Sequence, residues 1–313
     1  MKRKKLNLAA KLSVVLGGVL ALILVVLVIS TSLLSGSAIG QGISGELSAV
    51  AKSNAQQLQE IFNEADFAAE SLSRYLESAY QRGQANPEEN TVSTNPDVAA
   101  LCQSSIYHRT ISSIGYDAET FMVETARNTV ISNDGIAGVG VMFEPYKFES
   151  SIRDYAFYIS NETANSSVEP YGTYEEYSSE DWYSEAVTSK HQIVTQPFEH
   201  DGKLIISYAT PLVVNGEVLG VVFADIDVDT FASMDTTNDK YNTMWVTIYN
   251  GDGNIIWDSE TMNDVGRNIS EFTPNQDELQ QIKSSMNSTS AFNFDKTRED
   301  GGKTSCFYSP IDH

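Results

Sequence analysis

The segment that decides the fold is KLIISYATPLVVNGEVLGVVFADIDV, residues 203–228. It consists of two apolar, β-branched runs joined by Asn215 and Gly216. An Asn-Gly pair between two such runs is the strongest short-range signal for a β-hairpin with a two-residue turn. The sequence therefore predicts two long antiparallel strands, and the run HQIVTQPF just before them, at residues 191–198, predicts a third.

Strand and helix signals on the N-terminal side of this hairpin extend the same domain. The runs IAGVGVMFE (136–144) and YAFYIS (155–160) are rich in β-branched and aromatic residues, which favour strands. Apolar residues at helical spacing predict helices near residues 116–131 and 180–188. A five-stranded antiparallel sheet with a helical cap accounts for residues 97–232, so the fold class is α+β.

A second set of secondary-structure signals starts after residue 239. In chain order these are a strand, a turn, a strand, a helix and another strand, at residues 244–250, 251–253, 254–260, 276–286 and 290–295. The run KTSCFYSPI (303–311) then echoes KLIISYATPL of the first domain, and the sequence stops at His313. A sheet that lacks its final strands leaves an unpaired apolar edge. Residues 240–313 are therefore interpreted as a second domain that is truncated.

The first forty residues combine positive charge with an apolar run. Five basic residues precede the first acidic residue, Glu46, and residues 12–34 are 23 residues without charge. As a helix this run is roughly 34 Å long, enough to cross a hydrocarbon core of about 30 Å. We expect a transmembrane helix at residues 12–34 behind a cytoplasmic tail at residues 1–11, with the rest of the chain outside. A cleaved signal peptide, with small residues at 35–38, is the alternative.

A long helix is predicted directly after this apolar run. Apolar residues recur at steps of three and four over residues 42–82, and the segment contains no proline. About 40 residues make a helix roughly 60 Å long. We expect a stalk that is also the spine of the outer part, and a second copy of the chain packed on it as a homodimer.

Charge and motif content exclude several classes of function. The chain has 20 Lys+Arg against 42 Asp+Glu, a net charge of −22, and such a body repels nucleic acid. Two cysteines exclude a disulfide framework and a cysteine zinc cluster. The sequence contains no HExxH, GxSxG, Walker or dinucleotide-binding motif. We therefore expect a protein that is not an enzyme and that has no metal and no cofactor.

The order of these features resembles the double Cache (dCache) sensor domain of bacterial methyl-accepting chemotaxis proteins. The local matches, over about residues 10–313, are Asp181-Trp182-Tyr183 at the start of a short helix, ISYATP (206–211), GVVFADID (220–227), GNIIW (253–257) and VGRNI (265–269). The resemblance implies two tandem PAS-like (Cache) modules with antiparallel sheets. The membrane-distal module at 97–232 would bind a ligand, and the truncated proximal module at 240–313 would pass the signal on.

The resemblance also implies where the ligand binds. In amino-acid-sensing members, an Arg two residues before a Trp-Tyr pair helps to hold the ligand carboxylate, and an Asp ending the last distal strand holds its ammonium. Here Trp182, Tyr183 and Asp225 match, but Glu180 stands at the Arg position. A carboxylate needs a cation or a donor fork, whereas aromatic faces and a carboxylate suit an ammonium. We therefore prefer a small amine, then an amino acid; neutral guests such as nucleobases, and carboxylates held by other groups, remain alternatives.

Eight residues make up the expected ligand site: Trp182, Tyr183, Asp225, Tyr208, Glu180, Asp181, Phe198 and Tyr174. Each also has a simpler interpretation. The aromatic residues could pack in a core or lie on the surface, and a backbone cap could satisfy Asp225, because a buried carboxylate without a partner is costly.

The expected function is ligand sensing at the cell membrane. The chain would be a single-pass fragment of a chemoreceptor that signals to a chemotaxis kinase and adaptor through a second membrane helix and a cytoplasmic part, which this sequence lacks. The same sensor could instead drive a histidine kinase or a diguanylate cyclase. An anchored hydrolase is a third alternative, although the sequence shows no catalytic constellation for it.

Overall fold

A computed structural model describes residues 8–200, 202–234, 236, 244–286, 288, 290–297 and 301–311, with side chains of the first helix from residue 42 onward. Over the residues whose side chains are described, no helix is both long and apolar enough to cross a membrane. The anchor expected at residues 12–34 and the tail at residues 1–11 lie outside the residues whose side chains are described, so both stay predictions.

The first helix, α1 (Leu8–Ala85), has 78 residues and contains the whole of the helix predicted at 42–82. Its buried side chains follow the predicted steps of three and four: Leu58, Phe62, Ala65, Ala69, Leu72 and Leu76. This stripe is part of the main hydrophobic core. The apolar pattern of the sequence is therefore explained by packing of α1 against its own domain.

Residues 96–227 form helices around one antiparallel sheet. The elements are α2 (Pro96–Leu101), α3 (Ser113–Ser132), β1 (Ile136–Phe143), β2 (Ala156–Ser160), α4 (Tyr174–Tyr177), α5 (Asp181–Ser189), β3 (Ile193–Val194), β4 (Phe198–His200), β5 (Lys203–Val214) and β6 (Glu217–Asp227). The strand order is β2-β1-β6-β5-β3, and β4 also pairs with β5. The single strand predicted at 191–198 is two short strands. They are separated by a segment that includes Pro197, which has no N–H to donate to a neighbouring strand.

The hairpin predicted at Asn215 and Gly216 is confirmed. Both residues have positive φ, 52° and 82°, as a type I′ turn requires, and Val214 pairs with Glu217 on either side of them. Further along, the register of β5 against β6 shifts by one residue between Leu212 and Val213, because β6 has one extra residue, Leu219, between the paired residues Val218 and Gly220. This shift decides which side chains of β6 share a face with a given side chain of β5.

The sheet has two differently covered faces. The inner face packs on α1 and α3 in the main core, through residues such as Val139, Ile206 and Val222. The outer face carries α4 and α5, whose Tyr177 and Tyr183 pack in a second, smaller core. The result is a three-layer α+β fold with a curled antiparallel sheet at its centre.

Residues 244–311 contain a smaller set of elements: β7 (Thr247–Tyr249), β8 (Ile255–Asp258), α6 (Gln276–Met286), β9 (Phe292–Thr297) and β10 (Lys303–Tyr308). They form two separate antiparallel pairs, β7–β8 and β9–β10. The predicted hairpin of β7 and β8 is confirmed, and the predicted helix lies at the expected residues. The inner side of this region joins the main core through Ile248, Ile256 and Trp257.

Candidate functional site

The outer face of the sheet carries a buried carboxylate. Asp225, near the end of β6, is 2% exposed and lies directly between Ser207 of β5 and Gly138 of β1 in the strand register. Its Oδ1 accepts a hydrogen bond from the Ser207 hydroxyl, and its Oδ2 accepts one from the Tyr158 hydroxyl at 2.9 Å. Tyr158 comes from β2, so three strands contribute to the position of this carboxylate.

Among the described residues, Asp225 is a buried acid without a strong counter-charge. Burial raises the pKa of Asp225 to about 6, while the hydrogen bonds from Ser207 and Tyr158 and the nearby His200 act in the opposite direction. Within the part of the chain that the structure describes, no lysine or arginine forms an ion pair with it. At neutral pH the group is mainly ionised, so a cation brought to it would gain a buried partner.

Aromatic rings surround the same region. The rings of Tyr158 and Phe223 are stacked almost parallel, with centroids 5.7 Å apart, and the Trp182 ring is tilted over Phe223 at 4.7 Å. Tyr171 and His200 lie against Tyr158, at 5.7 Å and 5.9 Å between centroids. Ring faces next to a carboxylate are the arrangement that recognises an organic cation.

Two predicted aromatic residues lie on this face with Asp225. Trp182 is half-buried in the first turn of α5 and packs on the outer-face core. Phe198 pairs with Ile205 across β4 and β5, and Ile205 lies two residues before Ser207. Residues directly opposite each other share a face, as do alternate residues of a strand, so Phe198 is on the Asp225 side of the sheet.

Tyr174 and Tyr183 use their hydroxyls to hold the helices that cover the site. Tyr183 donates to Glu144 Oε1 and Tyr174 donates to Glu144 Oε2, both at 2.9 Å. Tyr183 is only 1% exposed, and burial, together with the Glu144 charge, raises the pKa of its hydroxyl. Glu144, one residue beyond β1, therefore anchors both α4 and α5 to the sheet.

The structure does not bring Tyr208 to this site. Tyr208 is opposite Ala224, on the inner face, and its ring lies 6.3 Å from that of Phe62 on α1. Tyr208 is an even number of residues from Ile206, Leu212 and Val214, which are also in the main core, so the alternation along β5 puts its ring on the inner face. The one-residue shift between Leu212 and Val213 makes Ala224, and not Phe223, its partner on β6. Glu180 and Asp181 are exposed at the start of α5.

Several residues of the site were missed by sequence reasoning: Tyr158, Ser207, Phe223, His200, Glu144 and Gly138. Phe223 could have been found, because it lies two residues before Asp225 on the same strand. Tyr158 could not, because its place depends on β1 lying between β2 and β6, and strand order is not readable from one sequence.

Comparison with known proteins finds a matching family for part of the chain. Residues 122–233, which contain most of this site, match the family described as methyl-accepting chemotaxis protein-like, first PDC sensor domain. The resemblance to a chemoreceptor sensor domain that the sequence suggested is therefore confirmed for this part of the chain. A search of curated proteins finds no match by sequence.

Solved structures show the same fold at low identity. The periplasmic sensory domain of the Campylobacter jejuni chemoreceptor Tlp1 has a TM-score of 0.56 and 14% identity, over 84% of this chain and 88% of that one. The extracellular domain of soHK1S-Z6, a candidate histidine kinase, has a TM-score of 0.55 and 15% identity, over 86% and 89%. The ligand-binding domain of the Pseudomonas aeruginosa PAO1 amino acid chemoreceptor PctC, in complex with GABA, has a TM-score of 0.50 and 15% identity, over 86% and 93%. These similarities show a shared, Cache-like fold.

Proposed function

We propose that this chain is the outward-facing, ligand-sensing part of a transmembrane chemoreceptor, and that the outer-face site around Asp225 binds a small cationic ligand. The observation that carries the proposal is a buried carboxylate with hydroxyl donors but no lysine or arginine partner in the described residues, set among aromatic rings. The sensor-domain family match over residues 122–233 supports the sensing role.

The charge around the site favours an amine over an amino acid. Arg153, the basic residue near α4, already pairs with Glu175 and Asp154, while Glu180 and Asp181 add negative charge at the start of α5. A ligand carboxylate would have to be recognised by His200, by backbone donors or by hydroxyls. An ammonium would meet Asp225 and the faces of the surrounding rings. Amino acids are therefore the second choice of ligand.

A thermal-shift screen with paired ligands tests this proposal. Tyramine and tyrosine, and histamine and histidine, differ within each pair only by the carboxylate. A ligand that binds the folded state alone raises its stability by mass action. The amine of each pair should raise the Tm of the chain more than the matching amino acid. Stabilisation by the amino acids and not by the amines would contradict the choice of ligand class.

In this proposal the domain boundaries are those expected from the sequence. Residues 97–232 are the ligand-binding distal module and residues 240–313 belong to a proximal module. The strand order supports this, since β8-β7 and β10-β9 correspond to β2-β1 and β5-β4. A cavity of about 1060 Å³ is lined by residues of α1, β7 and β10. The anchor at residues 12–34, pairing of two chains through α1, and output to a chemotaxis kinase and adaptor complete the proposal.

A histidine kinase is the second candidate for the output. The fold similarity to the extracellular domain of soHK1S-Z6 is as strong as that to the chemoreceptor Tlp1. The ligand site would be the same in both cases. The gene sequence that encodes the cytoplasmic part decides between them, because a kinase domain and a methylatable helical bundle are easily told apart.

A further inference from the structure

The outer face of β1 has glycine, and therefore no side chain, at two positions. β1 lies between β2 and β6, and Gly138 pairs with Asp225 while Gly140 pairs with Phe223 and, on the other side, Tyr158. A Cβ atom added at Gly138 would lie 2.1 Å from the Tyr158 hydroxyl oxygen. A Cβ atom at Gly140 would lie 2.5 Å from the Phe223 ring. Both rings therefore lie across β1 in space that any side chain there would occupy.

The Tyr158–Asp225 hydrogen bond depends on the absence of side chains at these two positions of β1. Neighbouring strands are about 4.8 Å apart, so β2 and β6 are separated by roughly 10 Å. Tyr158 starts opposite Gly140, and its hydroxyl ends above Gly138, 2.9 Å from Asp225 Oδ2. Glycine inside a strand weakens that strand, and it often marks a close approach of another group. Here the group that approaches is the phenol of Tyr158.

We propose that Gly138 is a positioning residue of the cation site: it leaves the path across β1 open, so that the Tyr158 hydroxyl orients the Asp225 carboxylate for the ligand. The nature of the ligand rests on the proposed function, whereas the role of Gly138 rests on the geometry of Gly138, Tyr158 and Asp225. The groups that face Asp225 are Tyr158 from β2, His200 from β4 and Ser207 from β5, and of these Tyr158 is the one held through Gly138.

Replacing Gly138 with alanine should change both the charge state of Asp225 and the affinity for the ligand. The Tyr158 hydrogen bond lowers the pKa of Asp225 against the effect of burial. An alanine at position 138 would push the phenol away and remove this donor, so the pKa should rise above about 6. Because this hydrogen bond is already made without ligand, its loss acts on affinity through the higher pKa and the altered orientation of the carboxylate. A rise of about one pKa unit would halve the ionised fraction at pH 7, so tyramine binding is expected to weaken roughly twofold or more.

A double-mutant cycle on the full chain tests the inference with two readouts. The variants are Gly138→Ala, Tyr158→Leu and the two combined, with Gly251→Ala as the matched control, since a Cβ atom at Gly251 meets no other atom within 4 Å. The readouts are the Asp225 carboxyl pKa, by carbon-13 NMR without ligand, and tyramine affinity by calorimetry. Gly138→Ala should change both in the wild-type background and neither in the Tyr158→Leu background.

Two results would overturn the inference. One is an Asp225 pKa that Gly138→Ala leaves unchanged, and the other is an effect of Gly138→Ala that is equal in both backgrounds. If Gly138→Ala does not fold, Tyr158→Phe removes only the hydroxyl, and an unchanged Asp225 pKa in that variant overturns the inference as well. If tyramine does not bind the wild type, the ligand proposal fails, and the NMR titration still decides the role of Gly138.

Discussion

Ser207 and Asp225 lie directly opposite each other on β5 and β6, and the Ser207 hydroxyl donates a hydrogen bond to the buried carboxylate. With Tyr158 on the other side, the carboxylate has neutral donors at both oxygens. Such donors stabilise the charge only in part, which leaves a site that a ligand cation would complete.

The first prediction concerns stability against pH. The pKa of Asp225 is raised to about 6 in the folded protein, whereas an unfolded aspartate titrates near pH 3.9. Between about pH 4 and pH 6 the folded state keeps a proton that the unfolded state has lost, so the contribution of Asp225 to stability falls as pH rises. Two pKa units correspond to about 3 kcal/mol. Above pH 6 this contribution is constant.

Urea unfolding of wild type and Asp225→Asn from pH 4 to pH 7 measures this effect. The free energy of unfolding of the variant, relative to wild type, should increase by about 3 kcal/mol across the range. Asp229→Asn, which changes an exposed aspartate of the same segment, is the control. Parallel profiles for wild type and Asp225→Asn would show that the buried carboxylate does not titrate in this way.

The second prediction concerns Glu144, which accepts hydrogen bonds from both Tyr174 and Tyr183. Glu144→Gln removes one acceptor oxygen and the charge, so α4 and α5 should be held less firmly. We expect the free energy of unfolding to fall by about 1–3 kcal/mol. Hydrogen exchange of α4 and α5 amides should also become faster.

Glu217→Gln is the matched control for Glu144→Gln. Glu217 forms an exposed ion pair with Lys147, and such pairs contribute less than about 1 kcal/mol. If Glu144→Gln destabilised the protein no more than Glu217→Gln, and left exchange in α4 and α5 unchanged, the anchoring role would be wrong.

The third prediction concerns which face of the sheet binds the ligand. Phe223→Leu removes a ring on the Asp225 side and should weaken tyramine binding roughly twofold to thirtyfold, the range for loss of a cation–π contact. Tyr208→Leu removes a ring on the α1 side, so it should lower stability and leave the affinity unchanged. Calorimetry on both variants measures this, and equal losses of affinity would mean that the site is not confined to the outer face.

The parts of the fold that depend on local sequence were predictable. The hairpin at Asn215 and Gly216 follows from the positive φ values that these residue types adopt easily. The long helix follows from its repeat of three and four, which the buried residues Leu58, Phe62, Ala65, Ala69, Leu72 and Leu76 obey. In contrast, residues 191–198 were predicted as one strand, but two short strands form there. The break between them contains Pro197, which has no backbone N–H to donate to a neighbouring strand.

The site was only partly predictable because it depends on register and strand order. Asp225 and Trp182 could be proposed from a local resemblance, whereas the side of the sheet on which Tyr208 lies was left open. Tyr208 lies on the inner face with Ile206 and Leu212. The one-residue shift near Leu212, which decides the partner of each β6 residue on β5, is not revealed by any feature of the apolar run. Tyr158 and Gly138 meet Asp225 only because β1 lies between β2 and β6.

The most direct test of the account is calorimetric titration of tyramine into the wild-type chain, Asp225→Asn and Asp229→Asn at pH 7. Tyramine should bind to wild type and to Asp229→Asn. Its affinity should fall roughly tenfold to a hundredfold in Asp225→Asn, because a charge-assisted contact to the buried carboxylate is removed. Equal affinity of wild type and Asp225→Asn would contradict the assignment of Asp225 as the residue that binds the cation.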